Sequence, residues 1–299
     1  MFAILGIVLV LGAVFGGYLL EKGNPWVLLQ PAEILIILGA GLGIVLVANP
    51  PSTIRRMVTG MREAFRAPAH SRSGYLLLLR MLYEIFTFAR RSGGPMAIEN
   101  DLEDPASSPI FSNYPDLLQD RVTLNFLIDS LRMIVIGGGS ANELDNLMDL
   151  DMDIQHRARH ESVRALHSVA DALPGLGIVA AVLGVVITMQ SIGGSPEVIG
   201  EKVAAALVGT FLGILLCYGV VGPIAARLEA RSEAHTHHLQ VVRTGTVAFA
   251  RNVSPMLAVE AARRSIPLEL RPDFTEMEIT VRREAKIPSL PMAQAVKAG

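Results

Sequence analysis

The chain is poor in the groups that build soluble catalytic or metal sites. It has a single cysteine, Cys217, which excludes an intramolecular disulfide framework and a zinc cluster of several cysteines. The net charge of −2 offers no positive excess for a nucleic-acid partner and none for a polybasic membrane surface. There is no P-loop, no GxSxG, no Rossmann fingerprint and no HExxH. The acidic run Asp145, Asp149, Asp151, Asp153 lacks the order of an EF-hand, and His156/His160 and His235/His237/His238 complete no metal pattern. Neither an enzyme nor a metal protein is expected. The most telling scarcity is of ionisable residues in two long segments, Leu173–Ile192 and Val203–Ala226, where only Cys217 and Tyr218 titrate.

What the chain has instead is apolar length. Mean hydropathy is +0.43, above the range of an ordinary soluble domain. The apolar residues fall in four blocks: Met1 to about Leu20, Val27 to about Ala48, and the two segments just named. Each is long enough to cross a hydrocarbon core of about 30 Å as a helix. The first block lacks a basic leader and a small-x-small cleavage site, so a retained helix is expected rather than a signal peptide.

Orientation follows from the basic residues. Arg55, Arg56, Arg62, Arg66 and Arg72 follow the second block, and Arg227 and Arg231 follow the fourth, whereas the other two connections hold only Lys22 and Lys202. The positive-inside rule then places the long middle region, the C-terminal region and both termini in the cytoplasm. The expected layout is an all-α membrane protein. Transmembrane helices 1 and 2 occupy 1–49, a helical cytoplasmic region 50–170, transmembrane helices 3 and 4 171–226, C-terminal cytoplasmic helices 227–286, and a disordered tail 287–299.

In the middle region, helical periodicity runs through Tyr75–Arg91, Leu117–Ile136 and onward from Asn142. Gly93-Gly94-Pro95 and Gly137-Gly138-Gly139 end helices, and Ser140-Ala141-Asn142-Glu143 has the form of a capping box. With no breaker before Pro174, the helix that starts there is expected to enter the third span unbroken. A further helix is expected over Arg227–Asn252, with shorter ones at Pro255–Ser265 and Asp273–Arg283.

Gly12/Gly16, Gly39/Gly43 and Gly209/Gly213 have the spacing that lets membrane helices approach closely, pointing to a packed bundle or oligomer. Glu33, the one acidic residue of the spans, is a functional candidate by default because a carboxylate inside a membrane is costly, and its place near a helix start offers the ordinary alternative of an interfacial position favoured by the helix dipole. Thr188 is expected to bond its own helix. Thr210, between Gly209 and Gly213, either does the same or faces a pore. Pro174 and Pro223, at the cytoplasmic ends of the last two spans, are either hinges or simple terminations. Around Gly93 the charges segregate: Arg90 and Arg91 close one helix, and Glu99, Asp101, Glu103 and Asp104 open the next segment. Capping explains this arrangement, and a docking surface for a charged partner is the sharper reading.

Taken together, these stretches resemble the MotA family of flagellar stator subunits. The resemblance rests on Val14–Leu19 with Gln30-Pro31-Ala32-Glu33, Leu173–Val186, Val208–Leu216, Tyr218-Gly219 and Pro223. In the polar regions it rests on Ile98–Pro105, Ile110-Phe111, Tyr114-Pro115, Met148-Asp149 and Val259-Glu260. It spans about residues 1–285. It implies a multi-pass protein of the bacterial inner membrane, forming a pentameric ring around a MotB-like dimer. That partner supplies the ion-binding aspartate and a peptidoglycan-binding domain, and no cofactor is implied beyond the transported cation, a proton by the nearest resemblance. It further implies that Arg91 and Glu99 engage the rotor protein FliG, with Arg90 beside them. Pro174 and Pro223 match prolines tied to torque, and Thr210 matches a pore-facing threonine. A TolQ/ExbB-like energiser is disfavoured by the four spans, and a solute transporter or non-conducting scaffold by the scarcity of buried polar residues.

Overall fold

The computed structural model describes residues 2–65, 70–190, 193 and 195–283, and among these there are helices and turns but no strand. The helices, in chain order, are α1 (Phe2–Leu20), α2 (Pro31–Ala48), α3 (Pro51–Ala64), α4 (Arg72–Arg91), α5 (Glu99–Glu103) and α6 (Pro115–Gln119). They continue as α7 (Arg121–Ile136), α8 (Ala141–Met189), α9 (Pro196–Leu216), α10 (Gly222–Ala250), α11 (Pro255–Arg264) and α12 (Phe274–Arg283). The tail expected to be disordered, 287–299, lies outside the described residues. The chain forms two compact units, Met1–Ala67 with His156–Ser232, and Pro68–Gln155 with Glu233–Gly299, so α8 and α10 each contribute to both.

The first unit holds the apolar helices. Among the described residues four stretches are long and apolar enough to cross a membrane: Ala3–Leu20, Pro25–Ala48, and portions of Ala141–Met189 and Pro196–Ala250. Pro31, Pro51 and Pro196 each open a helix, where the missing N–H would have had no partner anyway. One apolar cluster joins Val45, Met57, Val163, Leu166, Ala225 and Leu228, and a second joins Ile37, Ala170, Leu173, Ala180 and Cys217. Polar contacts accompany them: Arg227 Nε donates to the Ala64 carbonyl, and Arg56 meets Glu161 at 3.2 Å.

The second unit is an amphipathic bundle around α4. Tyr75, Leu78, Leu79, Leu82, Ile85, Phe86 and Ala89 recur at helical spacing and are all buried. Phe86 stacks on Phe249 with ring centroids 4.4 Å apart. Ser71 caps α4 by accepting from the Gly74 amide. At the other end the left-handed Gly93 and Gly94 close it, with the Gly94 N–H returning to the Ala89 carbonyl. Gly137, at φ +70°, ends α7 in the same way.

The capping box forms as the spacing predicts: the Ser140 amide donates to Glu143 Oε2 at 2.6 Å, and the Glu143 amide to Ser140 Oγ at 3.3 Å. From it α8 runs unbroken through Pro174 to Met189. The continuous helix expected over Leu117–Ile136 is instead split into α6 and α7. Asp120 competes for the backbone there, accepting from the Thr123 amide at 3.3 Å and the Thr123 hydroxyl at 2.7 Å. Arg243 on α10 ties down α8, reaching Asp145 at 2.7 Å and also Asp149. The i, i+4 spacing of those aspartates presents both on one face.

Candidate functional site

The last two apolar helices, α8 and α9, touch through glycine and form the candidate wall of a pore. A Cβ on Gly213 would stand 2.5 Å from the Leu173 carbonyl oxygen and 2.9 Å from Gly177 Cα. One on Gly177 would stand 2.7 Å from the Gly209 carbonyl oxygen. No side chain fits in these gaps, so the two backbones lie in direct contact. Of the three glycine pairs singled out in the sequence, this one alone packs within the chain. At Gly12, Gly16, Gly39 and Gly43 an added Cβ meets nothing within 4 Å.

Thr210 is half-buried at this seam, with its Cα 3.3 Å from where a Gly177 Cβ would be. Thr188 donates to the Gly184 carbonyl at 2.8 Å, as expected of a hydroxyl that bonds its own helix.

Glu33 lies in the first turn of α2, as its place in the sequence predicts, but it is packed against other helices. It is only 7% exposed, and its carboxylate reaches across from α2 into notches left by two glycines. A Cβ on Gly184 would be 3.2 Å from Oε1, and one on Gly209 would be 2.5 Å from Oε2. Among the described residues Oε2 has no hydrogen-bond partner. Sequence alone shows Glu33 only as a residue of the first helical turn. The signal pointing to burial was the pair of glycines on other helices, and nothing in the sequence links them to it.

The two prolines act differently. Pro174 lies inside α8, which continues through it. Pro223 follows a π-helical turn, Cys217–Val221, in which the Gly222 amide donates to the Cys217 carbonyl five residues back. The proline has no N–H to continue the α ladder, so the register slips by one residue ahead of it. Gly222 is needed there, because a Cβ would sit 2.7 Å from the Cys217 oxygen. Pro223 also lines a cavity of about 350 Å³, walled by Ile7 and Val10 of α1, Phe65 and Ile224.

In the second unit Arg90, Arg91 and Glu99 are all exposed, flanking the Gly93–Gly94 turn. Arg90 Nη1 donates to the Val253 carbonyl at 3.0 Å, which fixes the end of α4 to the turn before α11. Among the described residues no ion pair engages the side chains of Arg91 or Glu99.

Spacing along the chain grouped His235, His237 and His238. The fold instead stacks His238 on His70, with centroids 3.9 Å apart, and packs it 5.3 Å from the Tyr75 ring, with His235 beside them. Burial drives the His238 pKa down to about 3, and the neighbouring His70 and His235 act in the same direction against Asp120. Burial also pushes Tyr75 up to about 12. For Asp120, burial raises the pKa, but the two bonds from Thr123 and the nearby His235 and His238 outweigh it and hold the carboxyl below its usual range. Among the described residues no group of His, Cys, Asp and Glu is arranged to hold a metal ion.

This cluster makes the second unit acid-sensitive. An unfolded histidine protonates near pH 6.5, whereas folded His238 resists until about 3. Its contribution is therefore complete above about pH 6.5 and is lost as pH falls toward 3, at about 1.4 kcal/mol per pH unit. His238→Phe should flatten the fall in melting temperature between about pH 7 and about pH 5, a window worth about 2 kcal/mol to the wild type. Parallel melting curves for the two proteins would refute the assignment.

Comparison with known proteins agrees with this architecture. Residues 4–93 match the model of the Motility protein A N-terminal region, and residues 118–241 that of the MotA/TolQ/ExbB proton channel family. Motility protein A of Salmonella typhimurium is 38% identical over 282 residues, 94% of this chain and 95% of the relative. Chemotaxis protein LafT of Vibrio parahaemolyticus is 36% identical, over 92% of this chain and 96% of its own. The flagellar MotAB stator complex from Bacillus subtilis shares the fold at a TM-score of 0.73 and 24% identity, covering 89% of this chain and 96% of that one. Four apolar helices, a glycine-packed wall between the last two and a polar helical unit following the second are thus joined to a family match along most of the sequence: the chain belongs to the Motility protein A family, within the MotA/TolQ/ExbB proton channel family.

Proposed function

We propose that this chain forms the ring of a flagellar stator in the bacterial inner membrane, with both termini in the cytoplasm, and conducts a cation together with a MotB-like dimer. The observation that carries the reading is the α8–α9 wall. Two apolar helices touch backbone to backbone, and between Leu173 and Ile192 and between Val203 and Ala226 they hold no carboxylate. Neither helix brings a carboxylate of its own to the pore, and the MotB-like helix provides one there. Thr210 is the wall residue that faces it. Val182 and Val186 of α8 are exposed, as are the open glycine faces of α1 and α2, leaving apolar surface for neighbouring subunits of a ring and for lipid.

Coupling to the rotor protein FliG runs through the exposed Arg91 and Glu99. Arg90 holds the end of α4 in place through Val253. Pro174 and Pro223 sit where membrane helices continue into polar ones, the positions at which a helix can bend as the wall turns.

The test is co-expression with a MotB-like partner. The complex should co-purify and conduct cations, and swimming should fail when Arg91 and Glu99 are both reversed in charge although the complex still assembles. Thr210→Val should lower flux by about tenfold, the cost of about 1.4 kcal/mol on the path, with assembly intact. Absence of any complex and any flux would overturn the stator reading. Normal swimming by the double reversal would overturn the rotor contact alone.

A further inference from the structure

We propose that Glu33 is a binding site for the transported monovalent cation, proton or sodium, built into the wall itself. This rests on the stator reading and adds to it a second carboxylate, belonging to this chain. Three observations point the same way. Glu33 is more than nine-tenths buried. Its carboxylate occupies the notches at Gly184 and Gly209, the second of which is the residue adjoining Thr210. Its Oε2 is enclosed and has no hydrogen-bond donor among the described residues.

A bare carboxylate cannot rest there. Removing an anion from water costs several kcal/mol unless a counter-charge and hydrogen bonds replace the water. Among the described residues no counter-charge is paired with the Glu33 carboxylate. The segments of α2, α8 and α9 that enclose Glu33 hold no other titratable group, and the nearest charged residues along α9 are Glu201 and Lys202, a turn before Ala206. What neutralises the group must arrive from outside, as a proton on the oxygen or as a cation against it. An ionisable residue within membrane helices is a functional group by default, because its cost is otherwise unrecovered.

The position suits exchange. Glu33 stands in the first turn of α2, close to the water at that end of the helix, while its carboxylate reaches the seam on which Thr210 lies. It can take its cation on the outer side and discharge it toward the pore. No bond is formed or broken beyond O–H: the proton that binds is the proton that leaves. Because the carboxylate fills space that both glycines vacate, its charge state also bears on how closely α8 and α9 pack around Gly209. A purely space-filling role requires only the shape of the side chain, and glutamine has that shape. A cation site requires the charge.

The experiment compares wild type, Glu33→Gln and Glu33→Asp, each purified with the MotB-like partner and reconstituted in liposomes. Glu33→Gln should elute as the intact complex yet conduct about tenfold less, a change of about 1.4 kcal/mol. Glu33→Asp should recover part of the flux, with a shifted pH midpoint. Infrared difference spectra give a readout independent of conduction: a carboxyl C=O band that titrates with pH in the wild type and is absent in Glu33→Gln. If sodium at fixed pH displaces that band the site takes sodium, and if only pH does so it takes protons. Wild-type flux and an unchanged pH profile in Glu33→Gln would overturn the proposal and leave the stator reading standing. Failure of the wild type itself to conduct would count against the stator reading instead.

Discussion

Replacing Gly213 by valine is expected to cost about 3 kcal/mol and to remove the folded subunit from the membrane fraction. The size of the effect follows from what the new Cβ meets. Its nearest neighbours are the Leu173 carbonyl oxygen at 2.5 Å, Gly177 Cα at 2.9 Å and Gly177 N at 3.2 Å. All three are backbone atoms of another helix, so no side chain can rotate away and α8 itself must retreat. Retreat opens the seam around Gly177, Gly209 and Thr210, which removes the contacts lipid cannot replace. Gly177→Val should behave alike, since its Cβ would strike the Gly209 oxygen. Gly39→Ala is the internal control. It meets nothing within 4 Å, and in an isolated subunit it should leave melting unchanged or raise it slightly through helix propensity. Thermal melts of the purified subunit, with yield as the second readout, separate the cases. A Gly213→Val protein that melts with the wild type would show that the close approach is not needed.

The difference between those glycines marks the limit of what the sequence conveys. All three pairs have the same spacing, and spacing cannot tell which face meets a partner within the chain. Local signals fared better. The Ser140–Glu143 box, the glycine stops at 93–94 and 137, and the unbroken run of α8 were legible because each depends on residues within a turn of one another. Asp120 was missed as a helix break because its competing bonds to Thr123 look, in sequence, like ordinary helical positions. The burial of Glu33 was hidden for a different reason: its environment is made by Gly184 and Gly209, far along the chain, and by what those residues lack. His70 joined His235 and His238 through the same kind of long-range packing. The roles proposed for Arg91, Glu99, Pro174, Pro223 and Thr210 come from family resemblance. Composition and periodicity alone left each of them with an ordinary structural explanation.

A second large effect is expected inside the polar unit, at a pair that sequence gave no reason to single out. Glu84 is 2% exposed in the middle of α4, and Arg80, one turn earlier, meets it at 3.2 Å with its guanidinium 5.8 Å from the Tyr114 ring centroid. Arg80→Met should cost about 3–5 kcal/mol, because it strands a buried carboxylate and withdraws a cation from an aromatic face. Glu84→Met should cost less, since Arg80 lies nearer the surface and keeps Tyr114. The double variant should return close to wild-type stability, as apolar side chains of similar volume fill the same space without desolvating charge. Urea or thermal unfolding of all four proteins closes the double-mutant cycle, and a coupling energy near zero would show the pair to be incidental. The functional readout is separate. Arg91 lies two turns beyond Glu84 on the same helix, so α4 must be held in one rotational setting for that guanidinium to face outward. If the ion pair only stabilises the unit, the double variant swims as the wild type does. If it fixes the setting of α4, the double variant folds and assembles but drives the rotor poorly, which would assign the buried pair to specificity of orientation rather than to stability.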